Sequence, residues 1–218
     1  MASSERDWVA WHEPYDQPGS SLARRLEVVQ NRIAAALEQA PPGPIRVISM
    51  CAGHGRDLLG ALADHARAID VTARLVELDP RNVVVARQEA ARHPAVEVVC
   101  RDASNTSAYE GAVPADLVLA CGVFGNITYA DIRRTIAALP QLCSAGAVVI
   151  WTRHRKSPDL TPTIRAWFTE SGFDEVGFDS AVDTKFGVGT NRLAAPPQPF
   201  EPGIRLFDFI GDGRASNL

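Results

Sequence analysis

Two glycines, Gly53 and Gly55, stand just past an apolar run that ends at Met50-Cys51. Glycine reaches positive φ and puts no Cβ between the backbone and a ligand. A helix opening after such a turn has N–H groups without intrahelical partners. Glu77 ends the next apolar run, about 20 residues beyond the glycines, where a carboxylate can accept from two ribose hydroxyls. Asp102-Ala103 follows a third run, and Ala120-Cys121-Gly122-Val123-Phe124-Gly125-Asn126 closes a fourth. Any one of these reads equally well as a turn, a cap or a loop residue. At four successive strand ends, in order, they read as one binding rim.

Acid–base candidates are fewer. His154 lies in Trp151-Thr152-Arg153-His154-Arg155-Lys156 and titrates near neutrality, so it is the strongest general-base candidate. The basic cluster around it either draws an acidic substrate or is a solvated loop. The Asn126 amide either orients an acceptor or bonds the turn it sits in. Phe124 either walls the reaction site or packs in the core. Near the N-terminus, Trp8-Val9-Ala10-Trp11-His12-Glu13-Pro14-Tyr15 carries four amphipathic rings, which line a binding surface or anchor a terminus.

These residues need elements to hold them. Apolar positions Leu22, Leu26, Val29, Ile33 and Leu37 predict a helix over 22–40, ended by Pro41-Pro42-Gly43-Pro44. Strands are predicted at 45–51, 72–78, 96–100, 116–121, 147–152 and 173–178, with further strands at 185–193 and 204–210. Between them lie helices at 56–66, from Asp79-Pro80 to about Arg92, from Thr128 to about Leu139, and from Thr161 to Gly172. Asp79 and Thr128 are placed as N-caps, Pro80 in a first turn, and Gly172 as a left-handed C-terminal cap. Alternating helices and nearly all-apolar strands predict a mostly parallel sheet covered on both faces. In such a sheet, ligands bind beyond the carboxyl ends of the strands where strand order reverses.

At 218 residues the chain suits one domain, and 46% hydrophobic residues predict a packed core. A net charge of −4, spread along the chain, gives no reason to expect nucleic acid or an anionic membrane as partner. No apolar run approaches the roughly 18 residues of a membrane span, and residues 1–7 lack a signal-peptide pattern. Cys51, Cys100, Cys121 and Cys143 form no CxxC pair and read as buried thiols of a cytoplasmic protein, Cys143 lying in a connection. The five histidines lack metal-binding spacing, so no structural metal is predicted.

Together the motifs at 47–55, Glu77, Asp102-Ala103 and 120–126 resemble a class I S-adenosylmethionine-dependent methyltransferase, over roughly residues 45–180. The resemblance implies a Rossmann-like, seven-stranded, mostly parallel α/β sheet and S-adenosyl-L-methionine as cofactor. Ser49, Cys51, Ala52, Gly53 and Gly55 would lie under the methionine part. Glu77 would hold the ribose, Asp102 would accept from the adenine amino group, and Leu78 and Ala103 would flank the purine. Cys121 and Gly122, in the segment after the fourth strand, would also bind the cofactor. Residues 1–40 would form an N-terminal cap or lid, with Tyr15 reaching the cofactor carboxylate and His12 the acceptor; 41–218 would be the cofactor-binding domain of a single-domain protein. The segment after the fourth strand lacks the Asn/Asp-Pro-Pro-Tyr motif of nucleic-acid amino-methylating enzymes, so a small-molecule acceptor is expected.

Two positions depart from the family pattern. Ser49 stands where an acid is usual, and Cys51 where glycine is usual. Serine brings no charge to the cofactor's ammonium group. Asp57 is a candidate replacement, although capping its own helix is the simpler role, and Arg25 is a further candidate for the carboxylate. Cys51 fits the turn if its φ stays negative. Two other readings remain open. One is an NAD-dependent oxidoreductase, although the GxGxxG series fails at Leu58. The other is a non-catalytic S-adenosylmethionine-binding sensor or partner protein.

Overall fold

The computed structural model describes Tyr15, Gln17 and residues 19–181 and 184–210. Helix α1 (Ser21–Gln39) is opened by Ser20, whose Oγ accepts from the Ala23 N–H at 3.0 Å. Its buried stripe is Val29, Ile33 and Leu37, four residues apart and so on one face. Burying each contributes about 1.5–3 kcal/mol relative to exposure. Ala40 leaves the helix in an extended conformation, as a residue before proline must.

The strands are β1 (Ile45–Met50), β2 (Val71–Glu77), β3 (Val96–Cys100), β4 (Ala115–Ala120), β5 (Cys143–His154), β6 (Phe173–Asp179) and β7 (Phe186–Leu193). They form one seven-stranded sheet in the order β3-β2-β1-β4-β5-β7-β6. The first five run parallel, and β7 is antiparallel to both β5 and β6. β1 pairs with β2 on one side and β4 on the other, so strand order reverses between β1 and β4. The α/β architecture is therefore the expected one, and the ligand crevice belongs at that reversal.

The helices α2 (Arg56–Leu62), α3 (Pro80–Ala90), α4 (Tyr129–Ala138) and α5 (Thr161–Glu170) complete the two covering layers. Strand alternation divides the core. Leu117, Leu119 and Ile150 pack with the α1, α2 and α3 residues Ile33, Leu58 and Val83. Val118, Ala120 and Trp151 pack on the opposite face with Ile132, Ile136, Ile164 and Phe168 of α4 and α5. Asp79 and Thr128 cap α3 and α4 through their side chains, and Gly172, at φ +85°, follows the end of α5.

Three expectations are corrected. The helix over 56–66 stops at Leu62, and a separate 3-10 turn covers Ala66–Asp70 because His65 Nδ1 accepts from the Arg67 N–H. β5 begins at Cys143, not in a connection: a register shift separates Ala115↔Cys143 from Leu117↔Val148 and hides the early part of the strand. Residues 204–210 are not a strand. They touch the rest of the chain through isolated bridges, Asn105↔Arg205 and Ile127↔Phe209, while adjacent Leu206 and Phe207 are both buried. The segment is a strap laid across the loops at the carboxyl end of the sheet. Among the described residues, no helix is long and apolar enough to cross a membrane.

Candidate functional site

The glycine loop is tied inward. Ala52 N donates to Val76 O at 2.9 Å, Gly53 N to Glu77 Oε2 at 2.8 Å, and Gly55 N to Ala52 O at 2.8 Å. Glu77 Oε1 accepts from Asp79 N at 2.9 Å. One buried carboxylate thus joins the end of β2 to the loop after β1 and to the start of α3. These N–H groups serve the loop itself, so a ligand resting there meets a bare backbone surface and the remaining lone pairs of Glu77.

Gly55 sits at φ +75°, and a Cβ there would lie 2.7 Å from Leu75 Cδ2 and 2.8 Å from Leu59 Cδ1. The left-handed backbone and the two leucine side chains together favour glycine there. Cys51 was expected to keep a negative φ; instead it sits at φ +51°, the one non-glycine residue with positive φ among those described. The chain must leave β1 through a left-handed turn so that Ala52 N can reach Val76 O. Side chains in that region carry about 1–2 kcal/mol of strain. Burial, reinforced by the charges of Glu77 and Asp102, raises the Cys51 thiol well above its ordinary pKa, so it is a neutral packing group.

At the β2–β3 end, Leu78 is 60% exposed, while Ala103 is buried. A large apolar side chain held out beside the loops is what a planar base would cover. Asp102 Oδ1 accepts from Ser104 N at 2.9 Å and Ser104 Oγ at 2.6 Å, and its Oδ2 accepts from Arg205 Nη1 at 2.6 Å. Burial alone would raise the Asp102 carboxyl, but the hydrogen bonds from Ser104 and Arg205 outweigh it and hold it below its ordinary value. Arg205 arrives on the strap, anchored where Leu206 N donates to Ser104 O at 2.7 Å. Sequence reasoning missed this partner; the only signal was the apolar pair Leu206-Phe207 beside an arginine.

After β4, Gly122 N donates to Thr152 Oγ1 at 2.8 Å, and Asn126 Nδ2 donates to Gly122 O at 2.6 Å. The Asn126 amide therefore bonds its own turn. Phe124 is fully buried, with ring centroids 5.9 Å from Trp151 and 6.4 Å from Phe168, which is the core alternative. Arg153 is buried, donates through Nη1 to the Phe124 carbonyl, and leaves Nε without a partner. His154 ends β5 beside Gly125, and its Nδ1 accepts from Lys156 N at 3.3 Å. Burial first, then the positive charges of Arg153 and Lys156, lower its pKa below the ordinary 6.5. At neutral pH it is an uncharged imidazole with Nε2 carrying the proton in this tautomer.

On the α1 side, Tyr15, Arg25 of α1, Asp57 of α2 and Cys121 converge. Arg25 Nη2 donates to the Tyr15 hydroxyl, and the Arg25 and Arg56 guanidinium carbons lie 5.8 and 5.7 Å from the Tyr15 ring centroid. Burial pushes the Tyr15 hydroxyl up to about 12 against the opposing charge of Arg25. The N-cap of α2 is Gly55 without a side-chain cap, so Asp57 does not cap its helix. Burial, the largest influence, raises the Asp57 carboxyl above its ordinary value against the opposing charge of Arg25, and the Cys121 thiol donates to Ile150 O at 3.9 Å. Ser49 is buried in β1. His12, with Trp8 and Trp11, lies outside the described residues. The four cysteines are free thiols: Cys121 and Cys143 are buried, Cys51 is half-buried, and Cys100 is exposed rather than buried as expected. No group of three His, Cys, Asp or Glu residues among those described could hold a metal ion.

No protein-family model and no curated protein matches this sequence. Solved structures do match the fold. The CurJ carbon methyltransferase aligns with a TM-score of 0.68 at 15% identity, over 87% of this chain and 59% of that one. An O-methyltransferase family protein from Burkholderia thailandensis gives 0.65 at 17% identity, over 86% of this chain and 60% of that one. The N-methyltransferase NodS from Bradyrhizobium japonicum, solved with S-adenosyl-L-homocysteine, gives 0.62 at 15% identity, over 87% and 94%. The chain thus spans about three-fifths of the length of the first two. The fold is the one these methyltransferases share.

Proposed function

We propose that this protein transfers a methyl group from S-adenosyl-L-methionine to a small-molecule acceptor. The observation that carries this reading is Glu77. Its carboxylate is fixed from both sides by Gly53 N and Asp79 N, at the end of β2 beside the loop that leaves β1 at the strand-order reversal, between a bare glycine loop and the exposed Leu78. A group so placed suits a ribose diol. The exposed apolar Leu78 suits a purine face, Ala103 borders the same place, and Asp102 offers a carboxylate to the adenine amino group. Ala52, Gly53 and Gly55 form the floor under the thioether, with Cys121 and Gly122 at its far side. The structural neighbours support the same reading, since those proteins bear the names of carbon, oxygen and nitrogen methyltransferases. Because all three chemistries occur on one fold, the atom methylated is set by the acceptor pocket.

When bound, the sulfonium donor supplies an already activated methyl group. What the chain must add is position, and a base only where the acceptor has to lose a proton. His154, neutral at physiological pH, is the residue we assign to accept that proton, after exchanging the Lys156 N–H for water or acceptor. Asn126 helps by fixing the turn that borders the acceptor. His12 and the rest of the N-terminal segment would close over the cleft as a lid. The cationic surroundings of His154 suit an acidic acceptor, while the net charge of −4 gives the chain as a whole no attraction for nucleic acid. Cysteines without disulfide partners support a cytoplasmic setting.

One observation favours a second reading, a ligand-binding protein without turnover: two of the catalytic candidates, Asn126 and His154, already hold backbone partners. Incubation with methyl-labelled S-adenosylmethionine and a panel of small acids, phenols and amines separates the two. Label appearing in an acceptor supports the enzyme; tight binding with no transfer to any acceptor supports the sensor. Retained NAD without S-adenosylmethionine binding would favour an oxidoreductase.

A further inference from the structure

Asp102 is the carboxylate assigned to the base, yet most of its accepting capacity is used within the chain. Ser104 takes both lone pairs of Oδ1, through N at 2.9 Å and Oγ at 2.6 Å. Oδ2 holds Arg205 Nη1 at 2.6 Å and has one lone pair left. The backbone that carries Arg205 is clamped on both flanks. Thr106 N donates to Ile204 O at 3.0 Å, Ile204 N to Thr106 Oγ1 at 2.9 Å, and Leu206 N to Ser104 O at 2.7 Å. From α4, Arg134 Nε donates to Leu206 O at 2.9 Å, and the Leu206 and Phe207 side chains are buried. Asp208 steadies the guanidinium, accepting from Nε at 3.1 Å and from Nη2. Three of the five N–H groups are used in this way, and the second N–H of Nη1 stands beside Oδ2. A base edge that reaches Oδ2 therefore meets a donor as well as an acceptor.

We propose that Arg205 sets which purine the base subsite accepts, admitting a 6-oxo purine alongside the 6-amino purine of the methyl donor. This inference rests on the S-adenosylmethionine reading, which makes Asp102 the partner of the base. A 6-amino group is a donor. It brings a further N–H to an oxygen that already holds one, and takes Oδ2 in competition with Arg205. A 6-oxo group is an acceptor, and the ring nitrogen next to it carries a proton. The oxo group takes the second Nη1 N–H while the ring N–H takes the last lone pair of Oδ2, so the ion pair stays whole. A carboxylate without the arginine would set two acceptors against each other at the 6-position, which costs binding. The ligand class this adds is the 6-oxo form of the demethylated cofactor, changed only at the base edge.

The test is calorimetry on the full chain with S-adenosylhomocysteine and S-inosylhomocysteine, which differ only in the group at the purine 6-position and the proton on the adjacent ring nitrogen. Wild-type protein is expected to bind the two within about tenfold of each other. The Arg205 side chain is 49% exposed, so its hydrogen bond to the oxo group lies at the weak end for a charged donor. Arg205→Ala is therefore expected to weaken S-inosylhomocysteine about three- to tenfold and to tighten S-adenosylhomocysteine about two- to threefold, moving the two affinities in opposite directions. Affinities that move together in Arg205→Ala, or do not move, overturn the role of Arg205 and leave the methyl-donor reading standing. Wild-type protein that binds S-adenosylhomocysteine and rejects S-inosylhomocysteine by more than about 100-fold does the same. Wild-type protein that binds neither ligand overturns the methyl-donor reading and this inference with it.

Discussion

The two halves of the carboxyl-terminal rim are built differently. Around β1 and β2, the site is made from residues close together in sequence, and a single carboxylate, Glu77, locks three of the pieces. Around β4 and β5, it is assembled from remote segments: the turn at 122–126, the end of β5, and a strap that returns about 80 residues later to donate Ile210 N to Asn126 O. In the first half the polar groups are fixed before any ligand arrives. In the second, Arg153 keeps a buried Nε without a partner among the described residues, and the His154 Nδ1 accepts a long bond from Lys156 N. A preorganised half that binds beside a half left to be completed suits an invariant cofactor next to a particular acceptor.

The sharpest way to break this contrast is to separate rate from affinity. His154→Ala should slow methyl transfer about 100-fold or more, within the range for a lost general base, while cofactor affinity stays the same. Stopped-flow transfer and equilibrium binding on one preparation would show it; equal rates would move the base elsewhere. The pH profile gives the sign. A base works only when neutral, and the His154 pKa is lowered by burial and by Arg153 and Lys156. The rate should therefore rise with pH through a midpoint below the ordinary 6.5, with that acid limb absent in His154→Ala.

Next in size is Glu77→Gln. An amide has one acceptor oxygen, so its NH2 must face the N–H of Gly53 or Asp79. Affinity for S-adenosylhomocysteine should fall by about 1.5–3 kcal/mol, with the transfer rate at saturation little altered. A fall in saturated rate without loss of affinity would place Glu77 in the wrong half.

Cys51 tests the strain in the preorganised loop. Cys51→Gly should fold with unchanged or higher melting temperature, since glycine accepts φ +51° freely. Cys51→Val should lose about 2 kcal/mol, because a β-branched side chain is a severe outlier at positive φ. Equal stabilities for the two would mean that the turn can relax.

The smallest effect belongs to Arg205. Its ion pair with Asp102 has side chains 49% and 42% exposed, so Arg205→Ala should cost less than about 1 kcal/mol of stability. Freed of that competitor, Asp102 should bind the adenine end about two- to threefold more tightly.

The same contrast decides what could be read from the sequence. Glu77, Asp79 and the glycine turn were legible because their partners lie on adjacent connections and each leaves a local mark: a strand end, an N-cap, a tight turn. The register shift that lengthens β5 left no such mark, and neither did the strap, whose Leu206-Phe207 pair mimics a short strand. Cys51 misled because φ is set by where Ala52 N must go, not by the size of the thiol. Asp57 was legible as an acid in a first helical turn, but not that it leaves the α2 N-cap, Gly55, without a side-chain bond.

The central claim is that a nucleoside thioether rests on the rim held by Glu77. Titration of the full chain with S-adenosylhomocysteine in a calorimeter tests it most directly. The account predicts saturable binding of one ligand per chain, weakened at least tenfold in Glu77→Gln. Absence of binding heat across temperatures, or equal affinity in the two proteins, would contradict it.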